Sequence, residues 1–307
     1  MSSIIHPETR IGYVELKVSH LEQSITFYRN VVGLELERIE GGKAYLSAHG
    51  GVEPLLVLEQ PEGVFPQGSR TTGLYHFALL LPTRQDFATA FFHILRSKET
   101  IEAPTEQESR YTYSSEILPI SRLNSASDHT YSEAFYLQDL DGNGIEIYAD
   151  RPRDVWPPDG RGGSHPLDLK SLAGIADYAF KGLPAGTVVG HVHLRVADID
   201  QTRAFYVNAL GFEEQISSSD VLFVSAGGYH HHIGTNTWNG KHHPYPGEQA
   251  TGLKLYSIVL PHNEALEDVK KRLAEAGYEI VNEEHSDHFI TTDPNGIGVK
   301  FTLFYKK

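Results

Sequence analysis

Three adjacent histidines, His230, His231 and His232, sit in the stretch GYHHHIGTNTW at residues 228–238 of a 307-residue chain. Imidazole changes charge nearer neutral pH than any other side chain and is the commonest metal ligand, so the triplet raises two chemistries: metal binding and proton transfer. The chain carries 17 histidines and 16 tyrosines but no cysteine. Disulfides, thiolate zinc sites, iron–sulfur clusters and a cysteine nucleophile are thereby excluded, and any metal must be held by His, Asp, Glu or water. A single histidine on a strand is more often a hydrogen-bonded structural residue than a ligand. Adjacency alone therefore leaves the triplet open between a site and a solvated strand end.

The elements that must position such residues belong to a globular chain. Hydrophobic residues make up 40% and charged residues 21% of the 307, enough for about two domains of ordinary size. Forty acidic residues against 26 basic ones give a net charge of -14, which disfavours nucleic acid or an anionic membrane as a partner. The N-terminal MSSIIHPETR has no basic start leading into an apolar run, so a cytoplasmic location is expected.

The chain repeats itself. GYVELKVSHLEQSITFYRNVVGLE at 12–35 aligns without a gap on GHVHLRVADIDQTRAFYVNALGFE at 190–213. GLYHFALLLP at 73–82 aligns on GLKLYSIVLP at 252–261, and DGNGIEIY at 141–148 on DPNGIGVK at 293–300. The order is four modules, A (10–60), B (72–150), A' (188–240) and B' (250–305). Each opens with an alternating stretch such as Tyr13 to Val18, which predicts a strand. A helix follows: in module A, Leu21, Ile25, Tyr28 and Val32 recur at helical spacing and Gly33 stops it. Short strand-like runs between Gly-rich turns complete a strand, helix and three strands. The expected fold class is therefore α+β, built of four βαβββ modules. In chain order the halves are 1–150 and 188–307, joined by a linker at 151–187 with a helix over 167–180. Module B also carries a polar stretch at 103–128 with no clear period, and it reads as a loop.

Four such modules resemble the vicinal oxygen chelate superfamily, which includes glyoxalase I, fosfomycin-resistance enzymes and extradiol ring-cleaving dioxygenases. The resemblance covers nearly the whole chain. The segments GLYHFALLLP, SEAFYLQDLDGNGIEIYADRP and FVSAGGYHHHIGTNTW are similar to bacterial two-domain catechol 2,3-dioxygenase proteins, while the 103–128 stretch is longer than in those. The resemblance implies that the α+β chain's four βαβββ modules form two domains of curved mixed sheet with helices outside, each a cup of two paired modules with metal ligands on the first and last strands. The first-strand positions are Tyr13, His76, His191 and Leu255, and the last-strand positions in the B modules are Glu146 and Gly298. Of these only His76, Glu146 and His191 can ligate. They converge only if B pairs with A', a crossed arrangement that leaves open coordination positions as in non-haem Fe(II) oxygenases. His193, two residues on and on the same strand face, competes with His191 for the role.

What the resemblance implies of activity is extradiol cleavage of catechol or a related diphenol, with Fe(II) or else Mn(II) as cofactor and dioxygen as co-substrate. It implies a proton-handling histidine in the triplet, His231 first and His232 second. If 230–232 continue a strand, His230 and His232 share one face and His231 the other. Tyr136 would bond a substrate oxygen and His129 the second hydroxyl. The partners are a small aromatic diol and dioxygen, with no nucleic acid or membrane, and homo-oligomer formation is left open. Two other readings stand beside this one: a glyoxalase-like or fosfomycin-resistance-like metalloenzyme, and a metal-free protein that sequesters an aromatic ligand.

Overall fold

The structure is a computed structural model that describes residues 4–96, 123–157, 162–282 and 288–304. It contains two eight-stranded mixed sheets. The first runs Val281–Asn282, Phe289–Thr292, Gly298–Leu303, Gly252–Leu260, Arg10–Lys17, Leu56–Glu59, Lys43–Ser47, Glu35–Glu40. The second runs Glu213–Ser217, Val221–Ser225, Ile233–Asn236, Val188–Arg195, Gly73–Leu80, Gly144–Asp150, Ser132–Gln138, Leu123–Asp128. Each sheet joins modules from different halves, A with B' and B with A', through an antiparallel pair of first strands. The crossing that the distribution of His76, Glu146 and His191 requires is thus present.

Of the joining strands, Val188–Arg195 is buried on both faces. Val189 to Leu194 are all buried, although the pattern HVHLR suggests a half-exposed strand. One face lines the cup through His191 and His193, and the strand also packs against Arg10–Lys17 of the other sheet. The first helix is α from Leu21 to Phe27 and then a π turn from Tyr28 to Val32, closed by Gly33 at φ 90°. Module A' does the same with Ile199–Arg203 and Ala204–Ala209. The wider turn lets two consecutive aromatics point inward, Phe27 with Tyr28 and Phe205 with Tyr206, all fully buried.

Those tyrosines tie the modules together in chain order. Tyr28 of A donates to Asp139 of B at 2.8 Å, and Tyr206 of A' donates to Asp293 of B' at 3.0 Å. Burial pushes the Asp139 carboxyl up from 3.8 to about 6, against the hydrogen bonds from Asn143 and Tyr28. A folded-state pKa above the unfolded one stabilises most at low pH: the contribution is complete below about pH 4 and is lost as the pH rises through the folded value. Its size is on the order of 3 kcal/mol. Relative to Asp139→Asn, the wild type is therefore expected to gain about that much unfolding free energy between about pH 7 and about pH 4. Urea unfolding of both proteins across that range checks it, and parallel pH profiles would refute it.

Three expectations are corrected. The linker helix is shorter, Leu169–Ile175, starting at the cap Asp168, whose side chain accepts from Ser171 N. Leu123–Asp128, within the stretch read as a loop, is the edge strand of the second sheet, while 103–122 lies outside the described residues. The ungapped match that set Glu146 against Gly298 is out of register by two. Gly144 pairs with His76 as Gly298 pairs with Leu255, so Lys300 is the counterpart of Glu146. The two turns align from Asp139 and Asp293, whose carboxylates accept from Asn143 N and Ile297 N respectively, not from their DG and DP pairs.

Candidate functional site

His76 lies on Gly73–Leu80, His191 on Val188–Arg195 and Glu146 on Gly144–Asp150, three neighbouring strands. Ala78 is the cross-strand neighbour of both His191 and Glu146 and shares a face with His76. Its methyl group leaves space into which the three longer side chains turn. Their tips meet: Glu146 Oε2 is 3.0 Å from His76 Nε2 and 3.2 Å from His191 Nε2, and the two nitrogens are 3.3 Å apart. All three residues are buried, with ligand atoms within 4.8 Å of one another, and among the described residues no other His, Asp or Glu joins the group.

The electrostatics suit a cation. Burial alone would push the Glu146 carboxyl up, but His191 and His76 overcome it and hold it well below the usual carboxylate range. Burial lowers the His191 imidazole, with Glu146 pulling the other way. With burial driving His191 toward neutrality, the charge of the ionised carboxylate is only partly compensated within the group. A divalent ion supplies the missing positive charge, and two neutral imidazoles with one carboxylate form a donor set for a borderline metal with positions left open. His191 is oriented by packing between Tyr148 at 5.1 Å and His231 at 4.2 Å.

Gly144 keeps the strands of His76 and Glu146 in register. A methyl group there would overlap the Tyr75 carbonyl oxygen, a backbone atom that cannot yield cheaply. Gly144→Ala is expected to cost about 2 kcal/mol of stability and to weaken metal binding by spreading the two ligands apart. Urea unfolding and metal titration of the variant check both effects.

The remaining predicted residues line one cavity of about 500 Å³ beside this group, and so does His193. Tyr136 is the cross-strand neighbour of Glu146. His129 Nδ1 faces the Gly163 carbonyl at 2.9 Å, so that nitrogen carries the proton and Nε2 accepts from the Tyr136 hydroxyl at 2.8 Å. Burial and Glu146 push the Tyr136 phenol far up, keeping it neutral. His193 Nε2 accepts from Asn236 Nδ2 at 2.9 Å and is not part of the ligand group.

The triplet divides differently from a strand. Residues 230–232 precede the strand Ile233–Asn236, and both His230 and His231 line the cavity, because a bent segment does not alternate. His232 turns away, its Nδ1 accepting from Ala226 N at 3.1 Å. Sequence reasoning missed His230 and its partner Asp150. The signal was the alternation in GIEIYAD, which places Glu146, Tyr148 and Asp150 on one strand face.

In the other sheet the corresponding positions hold Tyr13, Leu255 and Lys300, none a ligand for such an ion. Nearby, Glu15 and Glu59 pair with Lys43 and Lys254, an ion cluster balanced by its own charges.

The family model described as the Glyoxalase/Bleomycin resistance protein/Dioxygenase superfamily matches residues 10–147 and 188–301. The chain belongs to this superfamily. A superfamily relative from Bacillus subtilis (strain 168), named catechol-2,3-dioxygenase, is 38% identical over 307 residues, spanning 97% of this chain and 99% of the relative. Among solved structures, a Bacillus subtilis protein described only provisionally as a dioxygenase matches with a TM-score of 0.63 at 13% identity, covering 99% of this chain and 87% of that one. A glyoxalase I mutant from Zea mays matches with a TM-score of 0.54 at 16% identity, covering 96% and 94%. Those structures establish the superfamily fold, which hosts both chemistries; the site must choose between them. No helix among the described residues is long and apolar enough to cross a membrane.

Proposed function

We propose that this chain is an extradiol ring-cleaving dioxygenase acting on catechol or a related diphenol, with Fe(II) held by His76, Glu146 and His191. The observation that carries the reading is the three-residue ligand group opening on a cavity that also holds Tyr136, His129 and His231. The full-length relative named catechol-2,3-dioxygenase supports the same reaction. A glyoxalase I site wants a fourth protein ligand, and the group here comprises three residues. Mn(II) accepts the same donor set, so the metal is named from the reaction class.

Bound there, Fe(II) supplies the open coordination positions and the redox capacity that let a diphenol react with dioxygen, both oxygen atoms entering the cleaved product. The chain's own groups handle orientation and protons. The diphenol gives up a proton on binding, and His231, whose imidazole is kept neutral by burial, receives it and later returns it. Tyr136, whose hydrogen is committed to His129, offers oxygen lone pairs to the substrate hydroxyl that stays protonated.

Purified protein loaded with Fe(II) is expected to consume dioxygen when given a panel of catechols and to form a yellow semialdehyde product. An absence of oxygen uptake with every catechol of the panel would sink the proposal.

A further inference from the structure

We propose that Asp150 and His230 are positioning residues for His231: through two hydrogen bonds they fix its proton on Nδ1 and leave Nε2 bare for the substrate. His230 Nε2 lies 3.0 Å from Asp150 Oδ1, and His230 Nδ1 lies 2.9 Å from His231 Nδ1. A carboxylate only accepts, so the proton on His230 is on Nε2. With His230 in its singly protonated form Nδ1 is then a lone pair, and the short contact to His231 is a bond that His231 Nδ1–H donates. The free basic nitrogen of His231 is therefore Nε2. The opposite tautomer would set two lone pairs against each other at 2.9 Å.

The relay cannot slip. His230 stacks on Tyr131 with ring centres 4.6 Å apart and planes 14° apart, and His231 stacks on Phe223 at 4.8 Å and 22°. Asp150 is oriented by the Tyr229 hydroxyl, which donates to Oδ2 at 2.9 Å and accepts from Tyr148 at 2.7 Å. The side chain of His230 is only 4% exposed, whereas that of Asp150 is 21% exposed, so the carboxylate keeps contact with water while the imidazoles do not. This layout follows the logic by which a carboxylate fixes a catalytic histidine's tautomer, with one additional imidazole between them.

The catalytic consequence rests on the reading of His231 as the proton acceptor; the tautomer itself is a property of the metal-free protein. In metal-free, nitrogen-15-labelled protein, long-range proton–nitrogen correlation of the histidine rings, with His231 assigned by its loss in His231→Gln, is expected to show a protonated Nδ1 and a bare Nε2. A proton on Nε2 would overturn the proposal without any variant having to fold. Asp150→Ala is expected to admit the other tautomer. In Fe(II)-loaded protein it is expected to lower kcat by at least about tenfold with KM and metal content unchanged. Asp150→Asn, whose amide oxygen still accepts from His230 Nε2–H, is expected to restore both. An unchanged tautomer in Asp150→Ala, or a loss shared with KM and metal content, would refute the positioning role. If no diphenol is turned over by the wild type, the dioxygenase reading fails, while the spectrum still decides the tautomer.

Discussion

Alanine in place of His76, Glu146 or His191 is expected to abolish stoichiometric metal binding in each case, with more than about a hundredfold loss of affinity. Loss of a mere supporting hydrogen bond costs up to that much, and removing one donor of three costs more. The same substitutions should abolish oxygen uptake. Stability separates the metal's role from folding. A metal present at a hundred times its dissociation constant adds about 2.7 kcal/mol to the wild type, and that increment should vanish in all three variants. In the metal-free state Glu146→Gln is expected to be less stable than wild type at neutral pH, because the carboxylate that His191 and His76 hold well below its usual range stabilises the fold when ionised, and the amide cannot replace that pairing. Metal analysis after dialysis, with thermal unfolding in the presence and absence of Fe(II), measures each effect. Wild-type protein that binds no metal, with aromatic-ligand affinity intact in His76→Ala, would favour the sequestering reading instead.

The ligand group was legible in the sequence because it follows from repetition. His76 and His191 occupy the same position in two modules, and only one pairing of modules brings Glu146 to them; the sheet order has that pairing. The register of the last strand was not legible. DGNG and DPNG look alike as letters, whereas the turns are built from Asp139 and Asp293, which gather backbone N–H groups of the residues that follow. A local identity misled because the conformation is set by the carboxylate cap and not by the Asn-Gly pair. The buried central strands were misjudged for a related reason. Alternation in HVHLR reports polar and apolar residues, and here the polar ones, His191 and His193, are buried in the wall of the cavity. The triplet's geometry was beyond a period-two rule, since the chain bends before Ile233 and turns two histidines to the cavity.

His231→Gln is expected to retain metal and lose about 10²- to 10⁴-fold in kcat, the range for removing a positioned general acid–base. Three features make this the test of role rather than of structure. His231 is absent from the ligand group, so metal content should stay at the wild-type level. Its ring packs on Phe223 and His191, and glutamine keeps most of that volume, so folding should be little changed. Its task is felt when a proton moves, so KM should change far less than kcat. Tyr136→Phe offers the contrast. It removes a hydroxyl bonded to His129 and placed for the substrate, and should raise KM by about tenfold with a smaller effect on kcat, the cost of a hydrogen bond lost in ground and transition state alike. Steady-state oxygen uptake under saturating and limiting catechol separates the two patterns. If both variants raised KM alone, the proton would have to be handled elsewhere in the cavity. His129 could not take over in its present bonding, because its Nε2 is occupied by Tyr136 and its Nδ1 by the Gly163 carbonyl. His193 Nε2 already accepts from Asn236 and His230 is bonded through both nitrogens, which leaves His231 as the cavity imidazole outside the ligand group with an uncommitted lone pair, so its loss should not be rescued by a neighbour.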